Sequence, residues 1–180
     1  MKHLLRFLAV ATVLIFSVHA QGVVTAIHGT ITKLDSGTKT MVVKTKDGTE
    51  HSVHFVDKTA VFGADKTAAG AKDAFKGLSE GSDVVVHYTV KGADQTATEV
   101  DKVGKDGLKS MDGTVDKVGK DGKTVVVKSA DGTEHSFDVA GRDSAGTAKD
   151  IGKGADKTGK VTVYYTEQGG KKVVHFFEKL

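Results

Sequence analysis

The feature that most constrains the fold of this chain is an internal duplication. The nine residues Lys44–Ser52 recur as Lys128–Ser136, and seven of the nine are identical. The match continues upstream at the same offset of 84 residues, and downstream at an offset of 77. The further matching segments are 29–31 with 113–115, 84–89 with 161–166, and 101–103 with 178–180. One deletion of seven residues explains both offsets, so the chain contains two homologous repeats.

Each copy of the repeated segment predicts a β-hairpin. The dipeptides Asp47-Gly48 and Asp131-Gly132 lie between runs of alternating apolar and polar residues, which is a strong hairpin signal. A two-residue type I′ turn is predicted, because Asp-Gly suits the positive φ that this turn requires at both central residues.

Five strands are predicted in the first repeat, with a short helix between the third and fourth. The strands are predicted at 27–34, 40–46, 49–56, 83–90 and 96–103. The helix is predicted at 65–76 after an N-cap at Asp65, and its counterpart at 143–153 contains glycines that weaken it. This order favours a mainly β fold of two tandem five-stranded OB-like barrels, each with a short helix between strands 3 and 4. SH3-like barrels or β-meanders are the alternatives.

The two repeats agree on which side chains face the core. Alternate residues of a strand share one face of the sheet, and the apolar residues of the second, third and fourth strands alternate in both copies. The predicted inward residues are Met41, Val43, His51, Val53, Phe55, Val84, Val86 and Tyr88, with Val125, Val127, His135, Phe137, Val139, Val161, Val163 and Tyr165 in the second repeat.

The first 20 residues have the organisation of a secretory signal peptide. Basic residues precede an apolar run at 7–18, and a cleavage site follows near Ala20. The run is shorter than the roughly 20 residues that cross a bilayer. We therefore expect a periplasmic or secreted protein with no membrane span in the mature chain. The predicted domains are the signal peptide at 1–20, the first repeat at 21–103, a linker at 104–111 and the second repeat at 112–180.

The charge of the chain argues against a nucleic-acid partner. Without residues 1–20, 24 Lys and Arg stand against 23 Asp and Glu, and lysines alternate with aspartates as on an ordinary solvated surface. The predicted outward residues of strands 2 and 3 include no aromatic side chain on which bases could stack. We therefore expect no binding of nucleic acid.

The sequence also argues against an enzyme. It contains no cysteine, so neither disulfides nor a thiolate nucleophile are available. Gly-x-Ser-x-Gly, His-Glu-x-x-His and phosphate-loop motifs are absent from the sequence as well. We expect a protein without catalytic activity and without a cofactor.

Two histidines are predicted to form a metal-binding pair. His28 and His87 have outward positions on the first and fourth strands, which are neighbours in an OB-type barrel, and histidine is a common metal ligand. The second repeat has Asp112 and Tyr164 at these positions, so any such site would belong to the first repeat only.

The repeated pattern also resembles a group of known sequences. The pattern comprises Gly-Thr-Ile/Val, the Asp-Gly hairpin, Val-x-Val-x-Tyr-Thr and a last strand that ends in Asp/Glu-Lys-Val/Leu. Over nearly all of 27–180 it resembles uncharacterised bacterial secreted or periplasmic proteins with tandem OB-like β-barrel repeats. The resemblance implies an exported β-barrel protein and provides no catalytic or binding residues.

Two functions remain, and the partner in each is an unknown envelope ligand or protein. The first is a non-catalytic envelope binding module for an oligosaccharide or other small ligand, which would use the loops between strands 1 and 2 and between strands 4 and 5. The candidate loop residues are Asp35, Lys39, Lys91, Gln95, Lys120, Lys123, Glu167 and Lys171. The alternative is a structural or stress-related periplasmic protein that binds other proteins, with Phe176 and Phe177 as a docking patch.

Overall fold

The computed structural model describes residues 24–63, 75, 77–120, 122–139 and 159–180, and all regular structure among them is β. The first repeat contains β1 (Val24–Asp35), β2 (Thr40–Lys44), β3 (Glu50–His54), β4 (Ala60–Phe62), β5 (Asp83–Lys91) and β6 (Asp94–Lys102). The second contains β7 (Lys109–Val118), β8 (Thr124–Lys128), β9 (Glu134–Asp138), β10 (Lys160–Gln168) and β11 (Lys171–Lys179). Apart from Phe75, the helices predicted at 65–76 and 143–153 lie outside the described residues. In the described part, no helix has the length and apolar character needed to cross a membrane.

The second repeat is a closed five-stranded barrel in the order β10-β11-β9-β8-β7. Its neighbours are antiparallel except for β9 and β11, which meet through one parallel pair, Asp138 and Val173. A β-meander joins only antiparallel neighbours, so this parallel pair rules out that alternative for the second repeat.

The first repeat forms a six-stranded sheet in the order β3-β2-β1-β5-β6-β4, and β3 also pairs with β6 through His54 and Thr96. Strand β4 was not predicted from the sequence. It has three residues and pairs in parallel with β6, so it is too short to show an alternating pattern.

The Asp-Gly hairpins have a different turn from the predicted one. Gly48 has a φ of 87°, but φ of Asp47 is not positive. The bonds from Gly48 N to Thr45 O and from Thr45 N to Thr49 O, both 2.9 Å, close a three-residue loop instead. The second hairpin has the same backbone bonds. The type I′ prediction is therefore wrong here, and consecutive residues with positive φ occur at Gly169-Gly170, between β10 and β11.

Corresponding β-bulges occur in the two repeats. The register shifts at Thr32 between β1 and β2 and at Asp116 between β7 and β8. It also shifts at Thr98 between β5 and β6 and at His175 between β10 and β11. A bulge adds one unpaired residue and turns nearby side chains in new directions. The bulge in β11 is important below because His175 is its extra residue.

The predicted cores are confirmed, apart from the two histidines. The buried predicted residues are Met41, Val43, Val53, Phe55, Val84, Val86 and Tyr88 in the first repeat, and Val125, Val127, Phe137, Val139, Val161, Val163 and Tyr165 in the second. His51 and His135 are half-buried. His135 lies 2.9 Å from Lys172 Nζ and 3.2 Å from Ser129 Oγ, so polar partners hold it at the edge of the core.

Gly29 and Gly113 occupy corresponding positions at which a strand passes very close to its neighbour. A Cβ atom on Gly29 would lie 2.4 Å from the carbonyl oxygen of Lys44. On Gly113 it would lie 2.7 Å from the carbonyl oxygen of Lys128. Because backbone atoms cannot rotate away as a side chain can, only glycine fits, which explains the Gly in the repeated Gly-Thr pattern.

We expect Gly29→Ala to lower the free energy of unfolding by about 1–3 kcal/mol, as other overpacking substitutions do. The reason is the steric conflict with Lys44, and denaturant unfolding followed by circular dichroism measures it. The control is Thr30→Ala at the next, exposed residue, which should change stability by less than about 0.5 kcal/mol. Equal losses in both variants would contradict the steric explanation.

Candidate functional site

The two repeats meet through the faces of β5, β6, β10 and β11 that point away from their own cores. The apolar centre of this junction consists of the buried Val85, Leu108 and Tyr164, with the partly buried Phe62, Val103 and Phe176 packed against them. Leu108 belongs to the predicted linker and is fully buried. Two groups of polar side chains accompany this centre. We call His87, Glu99, Asp101 and His175 the Asp101 cluster, and His28, Asp83, Tyr164 and Glu178 the His28 cluster.

Asp101 is a fully buried carboxylate at the centre of its cluster. Asp101 pairs with Val85 across the strands, and Glu99 pairs with His87, so these side chains share one face. Asp101 Oδ2 is 3.1 Å from His175 Nδ1 and 3.6 Å from His87 Nε2. Its other oxygen, Oδ1, is buried and has no hydrogen-bond partner among the described residues.

The bulge in β11 turns His175 towards the first repeat. Tyr164 pairs with Phe176 and Tyr165 pairs with Val174, which leaves His175 as the extra residue. Its Nε2 lies 3.3 Å from Thr166 Oγ1, while Nδ1 faces Asp101. The carboxylate, imidazole and hydroxyl are thus in series, the order found in nucleophilic triads. Thr166 has a secondary alcohol group, and the residue is only 6% exposed. Its contact with His175 therefore serves to orient the imidazole.

The carboxyl groups of the Asp101 cluster have opposite pKa shifts. Burial alone would raise the pKa of Asp101, but the hydrogen bonds and charges of His175 and His87 hold it below its usual value. Burial raises the pKa of Glu99, and the nearby charge of Asp101 adds to this effect. At neutral pH Asp101 is therefore ionised, and Glu99 holds its proton more strongly than an exposed glutamate does.

The His28 cluster joins the repeats by charged and hydrogen-bonded contacts. His28 Nε2 is 2.9 Å from Asp83 Oδ1 within the first repeat. His28 Nδ1 lies 3.0 Å from Glu178 Oε2 and 3.0 Å from Tyr164 Oη, both in the second repeat. The Tyr164 hydroxyl donates to Glu178 at 2.8 Å. His28 therefore bridges carboxylates that belong to different repeats.

The pKa values of this cluster follow from burial and from the two carboxylates. Burial alone would lower the pKa of His28, but Asp83 and Glu178 outweigh it and raise the pKa above 6.5. Burial and the bond to Glu178 raise the pKa of Tyr164. Tyr164 therefore remains a neutral hydrogen-bond donor over the physiological pH range.

A pocket of about 410 Å³ opens beside the Asp101 cluster. Both repeats and the segment between them line it, through Phe62, Val103–Ser110, Thr166 and Glu167. The ring of Phe62 stacks on the imidazole of His175 at 5.8 Å, and Thr166 bonds to the same imidazole. The pocket and the Asp101 cluster therefore share a wall.

Charged side chains lie along the rim of this pocket. Lys109 Nζ is 2.6 Å from Glu167 Oε2, and this hydrogen bond lowers the pKa of Glu167. Lys105 and Asp106, in contrast, form no ion pair with any residue that the structure describes. One cation and one anion at the rim therefore remain available to a ligand.

The two histidines predicted as a metal pair share the junction face of adjacent strands. His28 pairs with Val85 and His87 pairs with Ala26, so the histidines are offset by two residues along β1 and β5. Each has its own carboxylates: Asp83 and Glu178 surround His28, while His87 approaches Asp101. Joint binding of a metal by His28 and His87 stays a prediction.

The predicted loop residues of the first repeat do not form one group. Asp35 accepts hydrogen bonds from Gly37 N and Thr38 N, and Lys39 lies 3.6 Å from Asp57. No hydrogen bond or ion pair of the described residues joins Asp35 or Lys39 to Lys91 and Gln95, which lie at the β5–β6 turn.

In the second repeat, one predicted loop residue reaches the pocket. Lys120 and Lys123 are exposed beside the turn between β7 and β8, and Lys171 is exposed at the start of β11. Glu167 lines the junction pocket and pairs with Lys109. Ligand binding by these loops stays a prediction, and Glu167 is the member that the pocket favours.

The predicted docking patch is not a free surface. Phe177 is buried in the core of the second repeat, and Phe176 packs against the apolar centre of the junction. Both rings therefore contribute to packing within the chain.

Sequence reasoning missed Glu99, Asp101 and His175. Glu99 and Asp101 have outward parity in the predicted fifth strand, which marks them as ordinary surface residues. His175 would face the core by simple alternation, because it lies two residues before the inward Phe177. Only the bulge and the contact between repeats bring these three side chains together.

Comparisons with known proteins give little further information. No protein-family model matches the chain, and no curated protein sequence does. Among solved structures, it is similar to a crystal structure of Ag(I)CusF, with 9% identity over 44% of this chain and 96% of that chain, at a TM-score of 0.33. It is also similar to apo-CusF residues 6–88 from Escherichia coli, with 11% identity over 47% and 92% and a TM-score of 0.35. Scores this low support no conclusion about function.

We expect the His28 cluster to make the stability of the protein depend on pH. A raised pKa means that the folded state binds the proton of His28 more tightly, so this stabilisation is complete below the unfolded pKa of 6.5 and is lost as the pH rises through the folded value. The difference in unfolding free energy between wild type and His28→Gln should therefore be largest below pH 6.5 and shrink as the pH rises above it.

Denaturant unfolding at a series of pH values measures this difference. The exposed His54 on β3, whose ring contacts the Thr40 hydroxyl group and no carboxylate, provides the control through His54→Gln. A difference for His28→Gln that stays constant or grows with pH would contradict the proposed role of Asp83 and Glu178.

Proposed function

We propose that this protein is a non-catalytic binding protein of the bacterial envelope, exported by its signal peptide, that holds a small ligand in the pocket at the junction of its repeats. The observation that carries the proposal is the pocket itself. Its volume of about 410 Å³ falls in the range of about 300–1,000 Å³ that is usual for small-molecule sites. Segments from both repeats line it, as is common for binding sites between domains.

The lining favours a ligand with an apolar body and both charges. Phe62, Val103 and Leu108 provide apolar surface, while Ser110 and Thr166 provide hydroxyl groups. The side chains of Lys105 and Asp106 at the rim would pair with a carboxylate and an ammonium group of the ligand. An amino acid or a short peptide has this combination of groups.

Backbone hydrogen bonds hold the glycine-rich segment 104–107 at the rim of the pocket in one conformation. Gly107 N donates to Gly104 O at 2.8 Å, and Leu108 N donates to Lys102 O at 2.7 Å. A Cβ atom on Gly107 would lie 2.0 Å from the Lys102 carbonyl oxygen, so this turn requires glycine. A rim that is already ordered loses little conformational freedom when a ligand binds.

A thermal-shift screen of the purified protein tests the proposal. Amino acids and short peptides should raise the melting temperature, since a ligand at a hundredfold excess over its Kd stabilises the native state by about 2.7 kcal/mol. Lys105→Ala should abolish the shift. Lys120→Ala is the matched control, because Lys120 occupies the same place in the second copy of the sequence Asp-Lys-Val-Gly-Lys.

The same screen includes cell-wall oligosaccharides and a single-stranded oligonucleotide. A shift with an oligosaccharide alone would replace the proposed ligand class by a sugar. If no compound shifts the melting temperature, or if Lys120→Ala removes the shift as fully as Lys105→Ala, the pocket is not the binding site.

A further inference from the structure

We propose that Glu99, Asp101 and His175 bind one divalent transition-metal ion, with zinc as the best match, at the junction between the repeats. This site is separate from the binding groups of the pocket. The inference does not depend on the ligand proposed above.

The three donor atoms are already close together. One nitrogen or oxygen from each residue lies within 4.8 Å of the other two. Zinc binds His nitrogen and carboxylate oxygen at about 2.0–2.2 Å, which separates the donors around a tetrahedral ion by about 3.4 Å. The donors therefore lie close to the spacing that a bound ion would require.

The buried oxygen of Asp101 gives an independent indication of a cation. Asp101 is 0% exposed, and its Oδ1 has no hydrogen-bond partner among the described residues. A buried carboxylate oxygen without a partner is costly, because it has lost its hydration. A bound cation would supply the missing interaction.

The surroundings of His175 are those of a metal ligand. Nδ1 faces the carboxylates, and Nε2 lies 3.3 Å from Thr166 Oγ1. Metal-binding histidines usually donate their second ring N–H to an oxygen, which fixes the tautomer and the orientation of the ring. The ring of Phe62 stacks on the imidazole and also restricts its orientation.

The charges of the cluster also favour a dication. Two carboxyl groups in one buried cluster repel each other when both are ionised. A dication between them would offset this repulsion, because an opposite charge favours the ionised form of both groups. His87, 3.6 Å from Asp101, borders the cluster from β5.

The donor set indicates the class of metal. One imidazole and two carboxylates suit zinc and neighbouring first-row divalent ions. Cu(I) and Ag(I) prefer sulfur ligands, and the three donors include none. Three protein ligands leave a further position open on a four-coordinate ion.

Isothermal titration of the protein with zinc, purified without a histidine tag, tests the inference. Wild type should bind one ion, and Glu99→Gln and His175→Gln should each weaken binding by at least about 10–100-fold. Glu99→Gln resembles the protonated side chain, so we expect this variant to fold normally, which circular dichroism checks. Cobalt(II) should give visible absorption bands in wild type that both variants lose.

The matched control is Glu50→Gln, because Glu50 is an exposed glutamate on β3. It should bind zinc as wild type does. The inference is overturned if wild type binds no zinc, if Glu50→Gln weakens binding as much as Glu99→Gln, or if neither ligand variant changes the affinity. If wild type binds no zinc but amino acids still raise its melting temperature, the proposal of a ligand in the pocket remains intact.

Discussion

The buried carboxylate of Asp101 is the constraint on which the arrangement of the two repeats depends. An ionised group that is 0% exposed must find its partners within the protein, and those partners come from both repeats: His87 from the first and His175 from the second. If the second repeat were seated elsewhere, the carboxylate would lose its hydrogen bond to His175, and leaving a buried polar group without a partner typically costs about 1–3 kcal/mol. The apolar centre around Val85 and Leu108 provides the hydrophobic contact between the repeats. Asp101 limits the relative orientations of the repeats in which this contact can form.

The junction also compensates for the small size of each repeat. A repeat of this length encloses only a small core, and the chain contains no cysteine for disulfides. Both cores are filled by inward residues of short strands, yet Val85, Leu108 and Tyr164 are buried outside them. The surfaces that bury these residues belong to different repeats, so we infer that part of the stability of each repeat comes from its neighbour.

The sequence alone predicted most strands and nearly every core residue, because alternation is a local property and the second copy of the pattern checks it. It did not predict β4, which is too short to show an alternating pattern of apolar residues. It also did not predict the type of the hairpin turn, in which the Asp47 side chain accepts a hydrogen bond from Thr49 N and only Gly48 has a positive φ. The junction was beyond prediction for a different reason. Outward residues such as Glu99 and Asp101 look like solvated surface until a second repeat covers them, and no local signal marks the bulge that turns His175 towards them.

Covalent duplication makes this asymmetric junction possible. In a dimer of identical chains, each position carries the same residue in both subunits. Here the corresponding positions differ: Asp101 matches Glu178, Glu99 matches Phe176, and Thr98 matches the bulged His175. An imidazole on one copy can therefore face a carboxylate on the other, while an aromatic ring fills the position that a second glutamate would occupy. Both Glu99 and Asp101 come from the first repeat and His175 from the second, so neither repeat by itself contains all three of the donors proposed for the metal.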